Sequence, residues 1–363
     1  MGITEMNSIA CQLAPQLREI YIQKGASGFL RFDAGAQHTS GPGVFLLEKS
    51  ADVQSAATDF IDKNNAVPVV VAVEDVGVFH YHEPPSAIAA AGTMAGKVVI
   101  VTGGAQGFGE GLVRGFAALG ANVVVADLNL EGAERLAADV TDETGSEAIG
   151  VHVDVSNEDS VSAMVQTAVL QFGGLDVMIA NAGVAMSGGL DDMTKKVLEI
   201  VTAVNYTGFF LCAKYAARVM KAQHAVGNRL FDIITINSKS GLEGSKANFA
   251  YAGSKFGGVG LTQSFALELA EFGIKVNAIC PGNLFDGPLW SDPERGLFRQ
   301  YLEAGKVPDA RTVDDVRRYY EAKIPLGRGC TVEDVMRAAE YIVSQQYETG
   351  QAVPVTGGQV MLR

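Results

Sequence analysis

The sequence predicts an α/β protein: a doubly wound parallel sheet preceded by a small α+β extension. Three observations carry the prediction. From residue 97 onward, short apolar runs rich in β-branched residues alternate with longer helical stretches, the pattern of a parallel sheet covered on both faces. A glycine-rich turn, Thr102 to Gly109, joins the first of these runs to the first helix. An acid, Asp127, ends the second run about 20 residues further on, where a dinucleotide-binding unit carries one.

Composition sets the outer limits. The chain has 363 residues, 48% of them apolar and 19% charged, which suits two globular units. Its formal charge of −13 argues against a non-specific grip on nucleic acid. Cys11, Cys212, Cys280 and Cys330 are scattered without metal-ligand spacing, as expected of reduced thiols in a cytosolic protein. Met1 to Ala10 has no basic and apolar leader pattern, and Met6 stands where myristoylation after Gly2 would need Ser or Thr. No uninterrupted apolar run reaches the length of a membrane helix, so the expectation is a soluble, cytoplasmic protein with no membrane partner.

The first 93 residues hold five Lys/Arg against ten Asp/Glu. They predict a helix over Gln12 to Gln23 and a strand over Val67 to Val73. Three of the five histidines lie here: His38, His80 and His82. His80 and His82 alternate and so share one strand face, but no third ligand is evident, and loop or surface histidines are preferred to a metal site. Glu83-Pro84-Pro85-Ser86 and the small residues Ala87 to Gly92 mark a break, which puts the main unit at residues 94–363. Within it, strands are predicted at Lys97 to Thr102, Asn122 to Asp127, Ile149 to Val153, Leu175 to Ala180, Phe231 to Asn237 and Ile274 to Cys280. Helices are predicted at Phe108 to Leu119, Leu130 to Glu143, 157–172, 194–223 and 248–272.

The glycines of Thr102-Gly103-Gly104-Ala105-Gln106-Gly107-Phe108-Gly109 would let backbone N–H groups approach a pyrophosphate at a helix N-terminus. Asp127 would accept hydrogen bonds from an adenosine ribose diol and repel a 2′-phosphate. Leu128 and Asn129 supply no cation to receive one, so NAD is favoured over NADP. The alternative is that Asp127 merely caps the following helix.

Tyr251 and Lys255, four apart, share a helix face. An ammonium about 5 Å from a phenol, at an effective dielectric of about 20, is worth roughly 3 kcal/mol, on the order of two pKa units. That makes the tyrosine a plausible acid or base. Ser238 closes a strand at the carboxyl edge of the sheet, where a hydroxyl can hold a substrate oxygen or simply cap a turn.

With these residues in place the chain resembles the short-chain dehydrogenase/reductase family from about Met94 to Arg363. The match is Thr-Gly-x-x-x-Gly-x-Gly at 102–109, Asp154-Val155, Asn181-Ala182-Gly183, Asn205, Ser238, Tyr251-x-x-x-Lys255 and Pro281-Gly282. The resemblance implies a Rossmann-type fold binding NAD. Gly103, Gln106, Gly107, Phe108, Gly109, Asp127, Leu128, Asp154, Val155, Asn181, Ala182, Gly183, Tyr251, Lys255, Pro281 and Gly282 would line the cofactor. It implies Tyr251 as the acid/base, Ser238 as the orienter of the carbonyl, Lys255 as a ribose ligand and Asn205 as the anchor of a relay water. Two departures stand out: Ala180 replaces the usual asparagine before Asn181, and Asn283-Leu284-Phe285 lacks the usual threonine after Pro281-Gly282.

A branch of that family, the bacterial sorbitol-6-phosphate 2-dehydrogenases, is similar over further stretches: 236–241, 244–246, 255–264, Pro325-Leu326-x-Arg328-Gly329-Cys330 and the tail Val355 to Met361. This implies oxidation of D-glucitol 6-phosphate to fructose 6-phosphate with NAD. Lys239, Lys246 and Arg328 are candidates for the phosphate, with Arg295 and Arg299 flanking. Segment 284–325, with Trp290, Phe298, Tyr301, Tyr319 and Tyr320, would be a substrate lid or else a packed helical subdomain. The alternatives are a dehydrogenase of an unphosphorylated polyol or hydroxyaldehyde, and a non-catalytic NAD-sensing protein. The family implies a homo-oligomer, often a tetramer, through the helices near 194–223 and 248–272. Val69 to Phe79 faintly resembles the closing strands of class II aldolase-like domains, so residues 1–93 are read as a shortened remnant used for packing or assembly.

Overall fold

The computed structural model describes residues 2–36, 41, 43–48, 52–83, 92–294, 296–303 and 305–361. His38, most of the 84–92 break and Arg295 lie outside the described residues.

The larger layer is a parallel sheet of seven strands: β5 (Val98–Thr102), β6 (Asn122–Asp127), β7 (Ala148–His152), β8 (Val177–Ala180), β9 (Phe231–Ile236), β10 (Ile274–Pro281) and β11 (Ala352–Val355). Their order is β11-β10-β9-β8-β5-β6-β7. The central strands are unbroken apolar runs, Val98 to Thr102 being buried at every position, because helices cover both faces. One face carries α3 (Gly107–Ala118), α4 (Leu130–Thr144) and α12 (Val332–Ser344), which bury Leu112, Phe116, Leu136, Val140, Val335 and Ile342. The other carries α5 (Glu158–Phe172), α7 (Gly208–Gly227) and α8 (Phe249–Leu269). The chain moves outward through β6 and β7, then returns to pair β8 with β5. At that reversal the chain leaves β5 for one face of the sheet and β8 for the other, the switch point whose crevice takes ligands in such sheets.

Helix α7 follows α6 (Lys195–Thr202) and a single π-type turn, Ala203–Thr207, without a break. The combined stretch Lys195–Gly227 is long and apolar enough to cross a membrane, which the sequence expectation did not include. Its apolar residues Phe209, Leu211, Cys212, Ala216 and Met220 are buried in the core shared with the sheet.

The extension forms a second sheet of β1 (Phe29–Ala34), β2 (Val44–Leu47), β3 (Val70–Val73) and β4 (Gly77–His82), ordered β1-β4-β3-β2. Only β2 and β3 are parallel. Helix α1 (Ile3–Gln23) begins well before the predicted Gln12, because Ala10, Leu13, Ala14, Leu17 and Tyr21 line one buried stripe. The third strand is shorter than predicted: Pro68, which has no N–H to offer a ladder, precedes it and accepts the Tyr21 hydroxyl at 2.7 Å. Helix α2 (Val53–Asn64) was not foreseen, although Asp52 caps it through the N–H groups of Gln54 and Ser55. The His82 ring stacks on Phe29 at 5.0 Å; burial, then Arg31, hold its pKa below the ordinary histidine value. Among the described residues no group of three or more His, Cys, Asp or Glu is placed to hold a metal.

The two units share a buried charge network at the amino ends of β5, β8 and β9. Asp176 accepts from Arg18 Nη2 at 2.6 Å, from Val98 N at 2.7 Å and from Arg229 Nη2 at 2.9 Å. Arg229 also pairs with Glu19, which accepts from Gln223 Nε2 at 2.9 Å. Arg18, Glu19 and Asp176 are almost fully buried. Burial alone would raise the Asp176 carboxyl, but Arg18, Arg229 and Lys97 outweigh it and hold it well below the usual carboxylate range. Around the network the apolar cores join, with Val169 packed into the extension and Phe172 against Phe29 at 5.5 Å.

Replacing Arg18 with Leu strips Asp176 of one of its two guanidinium partners. We expect a loss of roughly 3–5 kcal/mol, read as a lower midpoint in urea unfolding. The depressed Asp176 pKa sets a pH dependence as well: its contribution is present above the unfolded carboxyl value, near 3.9, and is lost as pH falls toward the folded value.

Candidate active site

The crevice is built from strand ends. Gly103 and Gly107 lie at φ +61° and +60°, the left-handed region glycine tolerates. A Cβ on Gly103 would meet Ala182 Cα at 2.9 Å, and one on Gly109 would meet Gly103 O at 2.0 Å. The turn is thus a cradle that side chains would fill. Asn181 Nδ2 donates to Thr102 O at 2.9 Å and Gly103 O at 3.0 Å, while Thr102 Oγ1 accepts from the backbone of Asn181 and Ala182. These bonds lock the two sides of the crevice together.

Asp127 is buried at the end of β6. Its carboxylate accepts from Ala105 N at 3.0 Å and Asn129 N at 2.9 Å. The cap of α4 is Asn129, through Gly132 N, so Asp127 is not the helix cap that the alternative reading required. Leu128 is exposed beside it. Further round, Asp154 accepts from Ser156 and Val155 is buried. Pro281 ends β10, and Gly282 N bonds Val355 O at 2.9 Å.

Ser238, Tyr251, Lys255 and Asn205 converge. The Ser238 hydroxyl faces the Tyr251 phenol and favours its ionised form, and it accepts from Ser240 N at 3.1 Å. Lys255 Nζ lies 5.6 Å from the Tyr251 ring centre and donates to Ile236 O at 2.9 Å. Asn205 sits in the π-type turn, a local irregularity that often re-aims a functional side chain. It bonds Val184 in both directions, accepting from N at 2.8 Å and donating to O at 2.9 Å, and it also donates to Ser254 Oγ at 3.1 Å. Ser254 in turn donates to Tyr251 O at 2.7 Å. A cavity of about 10 Å³, room for one water, opens between Thr102, Asn205, Thr235 and Lys255.

The electrostatics differ from the sequence expectation. Burial pushes the Tyr251 phenol above its ordinary value, with the Ser238 hydroxyl acting against it, and burial lowers Lys255 to about 8. Lys255 is buried and Tyr251 half-buried, and the desolvation of each group dominates its shift.

The basic residues are dispersed. Lys239, in the turn Lys239–Gly241 after Ser238, is half-buried. Lys246 is exposed on the loop before α8. Arg328 makes a two-pronged pair with Asp334 at 2.6 and 2.9 Å, beside a cavity of about 440 Å³ that none of Ser238, Tyr251 or Lys255 lines. Arg299 is paired with Glu303. Segment 284–325 forms α9 (Pro288–Ser291), α10 (Leu297–Glu303) and α11 (Val313–Glu321) around its own core of Phe285, Trp290, Phe298, Val307, Val316 and Ile324.

A strand-order reversal with a glycine cradle, and a Ser–Tyr–Lys–Asn cluster at the same carboxyl edge, define a nucleotide-dependent oxidoreductase site. The short chain dehydrogenase family model matches residues 97–289, and the chain belongs to that family, whose members use NAD or NADP. It is a dehydrogenase acting on CH–OH. It is 40% identical over 269 residues to sorbitol-6-phosphate 2-dehydrogenase of Escherichia coli, covering 73% of this chain and 99% of the relative. Sorbitol-6-phosphate 2-dehydrogenase of Erwinia amylovora, a solved structure, superposes with a TM-score of 0.67 at 40% identity, over 73% of this chain and all of that one. The uncharacterized oxidoreductase YuxG of Bacillus subtilis is 33% identical over 72% of this chain but only 37% of its own length.

Sequence reasoning missed Asn237. Its Nδ2 donates to Lys255 O at 3.0 Å and its Oδ1 accepts from Ser238 N at 2.8 Å, so one side chain sets the spacing of two cluster members. The only local signal is the pair of glycines packed on it: a Cβ on Gly241 would lie 2.4 Å from Asn237 Oδ1, and one on Gly258 2.8 Å from Nδ2. Asn237→Ala should leave the Ser238 N–H unpaired and free the Lys255 turn from it, lowering stability by about 1–3 kcal/mol and kcat more than KM. Thermal unfolding and steady-state kinetics on one preparation check both.

Proposed function

We propose that the chain is an NAD-dependent dehydrogenase interconverting D-glucitol (sorbitol) 6-phosphate and fructose 6-phosphate. The observation that carries this reading is the 40% identity to a sorbitol-6-phosphate 2-dehydrogenase over 99% of that relative's length, with Asn205, Ser238, Tyr251 and Lys255 all present.

The residues fit a nicotinamide dinucleotide. The cradle at 103–109 offers backbone N–H groups at the start of α3 to a pyrophosphate. Asp127 would take the adenosine ribose and disfavour a 2′-phosphate, with Asp154 and Val155 at the adenine and Asn181 to Gly183, Pro281 and Gly282 along the cleft. Bound NAD would supply the hydride acceptor in polyol oxidation and the donor in the reverse direction. Tyr251 takes the proton of the reacting hydroxyl in oxidation and returns it in reduction. Ser238 holds the same oxygen through its hydroxyl. Lys255, when protonated, stabilises the phenolate, and Asn205 with the one-water cavity offers a path for the proton away from Lys255.

Segment 284–325 would cover the substrate and exclude water. Exposed Phe210, Phe256 and Leu267 on α7 and α8 support a homo-oligomer built on those helices.

The test is NADH appearance with D-glucitol 6-phosphate, with unphosphorylated D-glucitol and NADP as controls. Turnover on the phosphate ester with NAD is the expected result; activity on D-glucitol alone would reassign the substrate. Tyr251→Phe should lower kcat by about 10²–10⁴-fold. Oxidation should speed up as pH rises and the phenol ionises. Lys255→Met, which removes the cation that would steady the phenolate, should lower kcat for oxidation near pH 7, where Lys255 is protonated.

A further inference from the structure

We propose that Ser254 is a positioning residue for the reaction: its hydroxyl is the central link of a hydrogen-bonded chain that ties the segment after β8, through Asn205, to the backbone of Tyr251.

The chain runs one way. Val184 N donates to Asn205 Oδ1 at 2.8 Å, Asn205 Nδ2 donates to Ser254 Oγ at 3.1 Å, and Ser254 Oγ donates to Tyr251 O at 2.7 Å. A serine hydroxyl has a single proton to give. With that proton on the Tyr251 carbonyl, Ser254 meets Asn205 only as an acceptor, so the direction of every link is set. Asn205 Nδ2 gives its other hydrogen to Val184 O at 2.9 Å, so both hydrogens of that nitrogen are committed. Asn205 and Ser254 are both buried, where a missing partner is not replaced by bulk water. Links in such an interior polarise and strengthen one another.

Both ends of the chain belong to the site. Val184 follows Asn181-Ala182-Gly183 at the carboxyl end of β8. A Cβ on Gly183 would lie 3.4 Å from Asn205 Oδ1 and 3.6 Å from Lys255 Nζ, so this segment passes close to both groups. At the other end, Tyr251 O lies in the first turn of α8, and one turn on Lys255 O accepts from Asn237 Nδ2 at 3.0 Å. Asn237 thus holds one turn of α8 from β9, and Ser254 holds the turn before it from the π-type turn. A side chain that donates back to a helix carbonyl tends to bend the helix and weaken it slightly. In Ser254 the same oxygen also takes the Asn205 proton, which sets the backbone at Tyr251 against a second element. Thr262, about two turns further along α8, supplies the contrast. It is buried and donates to Gly258 O at 2.8 Å, but among the described residues it accepts from no other element.

The experiment compares the full-length parent with Ser254→Ala, Ser254→Thr and Thr262→Val. The assay uses D-glucitol 6-phosphate and NAD and to that extent rests on the polyol-phosphate reading above. Ser254→Ala should lower kcat by about ten- to a hundredfold, with KM and the NADH dissociation constant within about twofold of the parent. Ser254→Thr, which keeps the hydroxyl, should recover most of the loss. Thr262→Val, which removes a hydroxyl from the same helix without an Asn205 link, should keep parental kcat. Parental kcat in Ser254→Ala, or an equal loss in Thr262→Val, would overturn the proposal. A double-mutant cycle in urea unfolding reads the link with no substrate present. Asn205→Ala and Ser254→Ala remove one shared bond, so their joint effect on the unfolding constant should fall short of the product of the single effects by about threefold or more. Independent effects would overturn the link. A parent that does not turn over D-glucitol 6-phosphate, with the coupling present, would overturn the substrate reading and leave the link standing.

Discussion

Asp176 is the constraint around which the molecule is assembled. A carboxylate with essentially no access to water must be met by charge and hydrogen bonds, or it would lose its proton only at high cost. Here the partners come from three places: Arg18 from the extension, Arg229 from the turn into β9, and the Val98 N–H that opens the first strand of the large sheet. The strand order at the centre of the sheet and the seating of α1 are therefore settled by one group. The relative from Escherichia coli is matched over 99% of its length by 269 residues, so a dehydrogenase unit exists elsewhere without such an extension. In this chain the two are bound through charges that neither could leave bare.

The opposite end of the same strands follows a different logic. At the amino ends, opposite charges are buried and paired. At the carboxyl ends, polar groups are held in place by backbone and side-chain amides, chiefly Asn181, Asn205 and Asn237, around a buried Lys255 and a half-buried Tyr251. Amides suit this role because they donate and accept at fixed geometry without changing charge. The pair they frame is thus displaced by burial in opposite directions, the phenol upward and the ammonium downward.

How much of this the sequence showed depends on how local each signal was. The strands from Val98 onward, the glycine cradle and Asp127 were legible, since each is written in contiguous residues whose periodicity or backbone freedom leaves few options. The Ser–Tyr–Lys–Asn cluster was legible through a family resemblance. Most of the extension was not: β1, β2 and β4 are short strands whose partners lie far along the chain, and of α1 only the half from Gln12 was read, its first turns gaining their buried stripe from a surface they meet in the fold. Asn237 was passed over as the end of a strand because its role exists only against α8. Arg328 looked like a free cation, although Thr331-x-x-Asp334 is a capping box visible in the sequence and brings that carboxylate within reach. The lowering of Tyr251 by Lys255 was expected from distance alone; burial, which distance does not report, reversed it.

The two ends of segment 284–325 meet. Asn283 O accepts from Cys330 N at 2.9 Å, so the insert leaves and rejoins the sheet at nearly one point, and between those points it packs around aromatic residues of its own. Such a unit is a cassette in the evolutionary sense. Its helices can lengthen, shrink or change their lining while the closing bond keeps the strands beneath in register, and loop closure makes added length inexpensive. Divergence of this segment among descendants of one ancestor then asks nothing of the strands on either side of it.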